Sequence, residues 1–154
     1  SGTSAIVVTH DAEDAMIMAD DLALMDAGRI IQTGKPRELY ARPTSIAAAR
    51  LLGPINLVAA KIRNRVATSI LGQSPTELPD GAAWMGARPS AMTITALPAG
   101  MPAKVTSVAF SGEFNLVRLV VGTQALQLLL TGPPPSPGET VGVEIQPSRL
   151  HVFA

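Results

Sequence analysis

The sequence predicts an α+β chain: a short α/β region followed by an all-β small barrel. Three observations carry this reading. Residues 1–55 mix a buried-type apolar run with helically spaced stripes and hold most of the acidic side chains. Residues 56–154 are rich in Gly, Pro, Val and Leu and break into many short apolar runs separated by turn residues, the pattern of a small barrel or sandwich. Gly53-Pro54 stands between the two and marks the boundary, giving domains 1–55 and 56–154.

Each element has a local reason. Ala5 to Val8 is a β-branched apolar run and predicts a buried strand. Asp11 is placed to cap a helix by accepting the free amide hydrogens of its first turn, where Glu13 and Asp14 also suit the helix dipole. Ala12, Ala15, Met16 and Ala19 form the packing stripe of that helix, which should end near Asp20. Leu22 to Met25, the turn Asp26-Ala27-Gly28, and Arg29 to Thr33 predict a hairpin. Pro36 suits the first turn of a second helix through about Ala41, which Pro43 interrupts. A third helix covers about 45–52. Beyond the boundary, strands are expected at 57–63, 66–71, 82–87, 101–110, 114–121, 124–130, 141–146 and 150–153. The run Gly132-Pro133-Pro134-Pro135-Ser136-Pro137-Gly138 must be a loop, because proline donates nothing to a ladder.

Composition narrows the function classes. Hydrophobic residues make up 47% and aromatics 3%, so the core is aliphatic. Lys plus Arg and Asp plus Glu balance at 12 each, which argues against a strongly basic nucleic-acid binder. There is no cysteine, so disulfides and thiolate metal sites are excluded. No run approaches the ~18 apolar residues of a membrane span, and the N-terminus has no signal-peptide pattern. The chain opens without Met and reaches a strand-like run within five residues, which reads as a cut inside a larger fold.

The sharpest motif is Val7-Val8-Thr9-His10-Asp11, a strand delivering a histidine just before a helix. It is followed by Glu13, Ala15, Ala19-Asp20 and Leu24-Met25-Asp26-Ala27-Gly28-Arg29-Ile30, then by Gln32, Gly34, Pro36, Glu38-Leu39-Tyr40 and Arg42-Pro43. This string resembles the end of the ATP-binding subunit of bacterial ABC importers, in the group serving sugars, polyamines, sulfate and iron(III). Residues 56–154 resemble the OB-like TOBE domain appended to those subunits. The likeness rests on Asn56-Leu57, Gly86-Ala87-Arg88-Pro89 before Met92-Thr93-Ile94, Pro102 to Gly112, Gly138-Glu139 before Val141, and Pro147-Ser148 before Leu150-His151-Val152-Phe153.

The resemblance implies that His10 is the switch histidine, bonding the γ-phosphate and the attacking water in a full-length transport ATPase that uses ATP and Mg. It implies a regulatory TOBE domain, a homodimer, membrane permease partners and a cytoplasmic position at the inner face of the membrane, with iron(III) slightly favoured as cargo. The phosphate loop G-x-x-x-x-G-K-[ST] is absent, so no cofactor site is expected in these 154 residues, and none for a metal. An enzyme activity is therefore expected only of a longer protein.

Other features have plainer readings. Lys61, Arg63 and Arg65 read as a solvated strand face, and Asp11, Glu13, Asp14, Asp20 and Asp21 are too scattered along a helix to hold a metal. Met16, Met18 and Met25 read as aliphatic packing. Arg88 reads as a turn anchor acting through carbonyls. An alternative function is an autonomous oxyanion-binding barrel, with Lys104, Ser107 and Ser111 as its candidates. A nucleic-acid-binding barrel would need stacking aromatics in a basic groove, which one Trp, one Tyr and three Phe supply poorly.

Overall fold

The computed structural model describes residues 3–154. The chain divides into two compact units, Ser1–Gly53 and Pro54–Ala154.

In the first unit the strand expected at Ala5 to Val8 does not form: no ladder or helix involves residues 3–9, and Ile6 and Val8 are 95% and 92% exposed. An apolar run of this kind is stable as a strand only when neighbours bond both edges and cover both faces, and among the described residues nothing pairs with it. The helix α1 (Ala12–Met18) follows, capped by Asp11, whose carboxylate accepts from the amides of Glu13 and Asp14. Strands β1 (Leu22–Asp26) and β2 (Arg29–Gly34) form the expected hairpin, with Ala27 and Gly28 both at positive φ in its turn. Helices α2 (Pro36–Ala41) and α3 (Ile46–Leu51) complete the unit, the second capped by the Ser45 hydroxyl. Gln32 pins the loop between them: its Nε2 donates to Arg42 O, and its Oε1 accepts from the amide and hydroxyl of Thr44. Leu24, Leu39, Ala48 and Leu52 form the buried core, with Met16, Leu22, Ile31 and Tyr40 packed against it. Of the methionines read as packing, Met16 does pack, but Met18 and Met25 are exposed, on the far side of their elements from this small core.

The second unit is nearly all β. Its strands are β3 (Asn56–Arg63), β4 (Val66–Ser69), β5 (Gly72–Pro75), β6 (Gly81–Ala87), β7 (Met92–Thr95), β8 (Met101–Ser111), β9 (Phe114–Val121), β10 (Gln124–Leu130), β11 (Thr140–Ile145) and β12 (Leu150–Phe153). They form two five-stranded antiparallel sheets, ordered β10-β9-β8-β11-β7 and β12-β6-β3-β4-β5. Both sheets contribute to one core: Val58, Ile62 and Met85 from the second meet Val105, Val117, Leu119, Leu126 and Leu128 from the first. Alternation explains which residues go inside. Val117 and Leu119 are buried while Arg118 between them is exposed, and Leu126 and Leu128 repeat the pattern across the ladder.

Strand β8 needs one irregularity to serve this core. Its register with β9 shifts between Val105 and Ser107. The bulge turns Val108, rather than Ser107, toward the inside, where it packs on the core. The Thr106 hydroxyl donates to Arg118 O at the shift. A second close fit lies on β11. A Cβ on Gly142 would sit 2.0 Å from Ala99 O and 2.6 Å from Thr95 Oγ1, because the loop after β7 folds directly over that residue.

Candidate functional site

His10 lies at the bend immediately before α1 and is exposed. The residues around it are fixed by local hydrogen bonds. Thr9 Oγ1 accepts from the Asp11 amide at 3.0 Å, and the Asp11 carboxylate is taken up by the Glu13 and Asp14 amides at 2.9 and 3.0 Å. The Ala15 amide closes the first helical turn onto Asp11 O. The imidazole therefore projects from a pinned bend while the carboxylate beside it is engaged in capping. An exposed imidazole there can donate one hydrogen bond and accept another.

The acidic residues near it do other work. Asp21 is ion-paired with Lys35 at 2.9 Å, which raises the Lys35 pKa through that hydrogen bond and charge. Among the described residues no group of three or more His, Asp or Glu is arranged to hold a metal, nor is any helix long and apolar enough to cross a membrane.

In the second unit, Arg88 is 3% exposed and its Nη1 donates to Pro54 O at 3.2 Å, a turn anchor acting through a carbonyl. Arg149 holds Ser90, its Nη1 donating to the carbonyl at 3.1 Å. His151 stacks against Phe153 with ring centroids 6.3 Å apart. Burial first, then the positive charges of Arg88 and Arg149, hold the His151 pKa below its ordinary value. Lys61, Arg63 and Arg65 are exposed, Arg65 being paired with Glu77.

Lys104, Ser107 and Ser111 do not converge. They lie along β8, opposite Val120, Arg118 and Phe114 respectively. Seven residues of strand span about 23 Å, too far for one small oxyanion to bridge.

Two residues central to the geometry carried little signal in the sequence. Asn56 is buried at the start of β3. Its Nδ2 donates to Gln127 O at 2.7 Å, and its Oδ1 accepts from the Gln127 amide at 2.7 Å. The sequence hints were a polar residue opening an apolar run and the place of Asn56-Leu57 in the TOBE likeness, neither of which points to Gln127. Gly142 stands between Val141 and Val143 in an alternating run, and nothing in its sequence neighbourhood announces the loop that covers it.

Residues 85–153 match the TOBE domain model, and the rest of the second unit continues the same two sheets. Along almost its whole length the chain is similar to ATP-binding proteins of ABC transporters, import proteins among them. It is 34% identical to an uncharacterized ABC transporter ATP-binding protein of Sinorhizobium fredii, over 99% of this chain and 42% of that relative. It is 33% identical to an Fe(3+) ions import ATP-binding protein of Streptomyces avermitilis, over 99% of this chain and 46% of the relative. It is 31% identical to a sulfate/thiosulfate import ATP-binding protein of Chromobacterium violaceum, over the same shares. The chain thus spans less than half the length of the curated relatives it matches.

Proposed function

We propose that these residues belong to an ATP-hydrolysing importer subunit, contributing the switch histidine and a regulatory domain. The carrying observation is the match to import ATP-binding proteins over 99% of the chain, which includes the His10 region as well as the β domain. Residues 1–55 are read as the end of the nucleotide-binding domain and 56–154 as its OB-like regulatory barrel. His10 contacts the γ-phosphate and the attacking water in the longer protein, where ATP and Mg are bound by residues outside this sequence. The pinned bend at Thr9-His10-Asp11 supports this role, because it presents the imidazole without using its neighbours. The permease subunits of the importer are the membrane partners, at the cytoplasmic face, and iron(III) is the favoured cargo among the relatives' printed substrates. A second copy of the chain is the other partner, and the exposed Ile6, Val8, Ile17 and Met18 add apolar surface to that association.

His10→Ala in the longer protein tests the assignment. Turnover of ATP is expected to fall at least ~10-fold with nucleotide binding nearly intact, because a contact that tightens as charge develops acts on the transition state. Unchanged turnover removes His10 from the mechanism. The 154-residue chain alone is expected to show no micromolar Mg-ATP binding by calorimetry.

A further inference from the structure

The two edge strands of the first sheet, β7 and β10, lie beside each other without a ladder between them. Each presents backbone groups that no strand satisfies, and a buried edge of this kind needs another partner. Asn56 is that partner at one end of the seam. A carboxamide carries one donor side and one acceptor side in a fixed plane, so it can imitate a neighbouring peptide group. Here it bonds both the amide and the carbonyl of Gln127 at 2.7 Å, while its Nδ2 also lies 3.6 Å from Met92 Sδ at the start of β7. At the other end the seam stays open. A groove of ≈ 480 Å³ lies there, lined by Ile94, Thr95, Leu130, Pro134, Glu139 and Val141 among others.

Asn56 is also the last of three consecutive residues held to other parts of the unit, the first two to β6 and the residue after it, the third to β10. Pro54 O accepts from Arg88, which follows β6. Ile55 lies over β6, its Cδ1 only 2.8 Å from where a Cβ on Gly86 would stand. Asn56 holds β10. Adjacent residues of one chain cannot move independently over such contacts, and close-packed contacts shift between discrete arrangements rather than stretching.

We infer that Asn56 is a coupling residue: it ties the entry segment Pro54–Asn56 to the β7–β10 seam, so that displacing that segment moves β10 and the open groove beside it. The signal enters at the first residues after the boundary and leaves at a groove on the same unit. This makes the seam a conformational device, independent of the ATPase assignment.

Hydrogen exchange of backbone amides in the whole chain tests this. Asn56→Ala is expected to raise exchange of the Gln127 amide by roughly tenfold, as loss of one hydrogen bond would, while the amides of Val58 and Met85 keep their protection. Asn56→Asp retains the acceptor for the Gln127 amide but not the donor, and is the variant to use if the first does not fold. Gly86→Ala presses hardest on Ile55, at 2.8 Å, and less on Leu57 and Phe153, at 3.2 Å; it is expected to change Gln127 exchange in the wild-type background by several-fold, and to have no such effect when Asn56 is replaced. An equal response to Gly86→Ala in both backgrounds, or no response in either, overturns the coupling. So does a parallel loss of protection at Gln127, Val58 and Met85 in the Asn56 variants, which would make the residue a general prop.

Discussion

The two units of this chain differ in how much apolar surface they keep from water. The first buries Leu24, Leu39, Ala48 and Leu52 and leaves Ile6, Val8, Ile17 and Met18 exposed. The second buries one continuous core drawn from both of its sheets. The strongest motif nevertheless lies in the first, around His10. On the proposed function the His10 motif belongs to chemistry completed elsewhere, whereas a closed core records a region that supports itself. The first unit carries the resemblance to a catalytic domain and little of the packing such a domain needs. The second carries weak individual motifs and most of the packing.

The comparison can be broken residue by residue, with two built-in reporters: the single Trp, Trp84, lies in the second unit and the single Tyr, Tyr40, in the first. Leu119→Ala should have the largest effect, lowering the stability of the second unit by ~2–5 kcal/mol, the usual cost of emptying a fully buried leucine site. Denaturant unfolding followed by Trp84 fluorescence measures this, and the Tyr40 signal should not move with it. Gly142→Ala should cost ~1–3 kcal/mol in the same assay, since the new methyl meets the backbone oxygen of Ala99 rather than a flexible side chain.

A pH effect just below neutrality is expected in the second unit. The folded-state pKa of His151 is held below its ordinary value of 6.5 by burial and by Arg88 and Arg149. The unfolded chain therefore takes up the proton first. The contribution of the neutral imidazole is complete above pH 6.5 and is lost as pH falls below it toward the lowered folded value. A pH series of Trp84 unfolding should show this slope, and His151→Gln should flatten it. The smallest effect is expected in the first unit. Ala27 sits at φ 46° in the β1–β2 turn, so Ala27→Gly should stabilise that hairpin by up to ~1 kcal/mol, read through Tyr40.

Much of this was legible from residue pattern. The hairpin at Asp26-Ala27-Gly28, helix α2 from Pro36 to Ala41, and most strands after Asn56 follow from periodicity and turn chemistry. Local rules suffice there because the signal and the structure lie in the same few residues. The strand expected at Ala5 to Val8 failed for the opposite reason: its stability depends on neighbours far away in sequence. Strand β5 was missed because Gly72-Gln73-Ser74-Pro75 has no apolar alternation, and its place comes from pairing with β4. The bulge at Thr106, the loop over Gly142 and the bonds of Asn56 to Gln127 were hidden too, since each joins segments that only the fold brings together. For the candidate site, the motif singles out His10, and the structure adds only the capping bonds that fix the bend around it.

Amide hydrogen exchange on the intact chain tests the contrast between the units most directly. Strong protection is predicted across 105–121, where β8 and β9 sit over the shared core, and weak protection across 5–33, where an unpaired apolar run and a small core leave the backbone open. Uniform protection of both stretches in a monomeric sample would contradict the account.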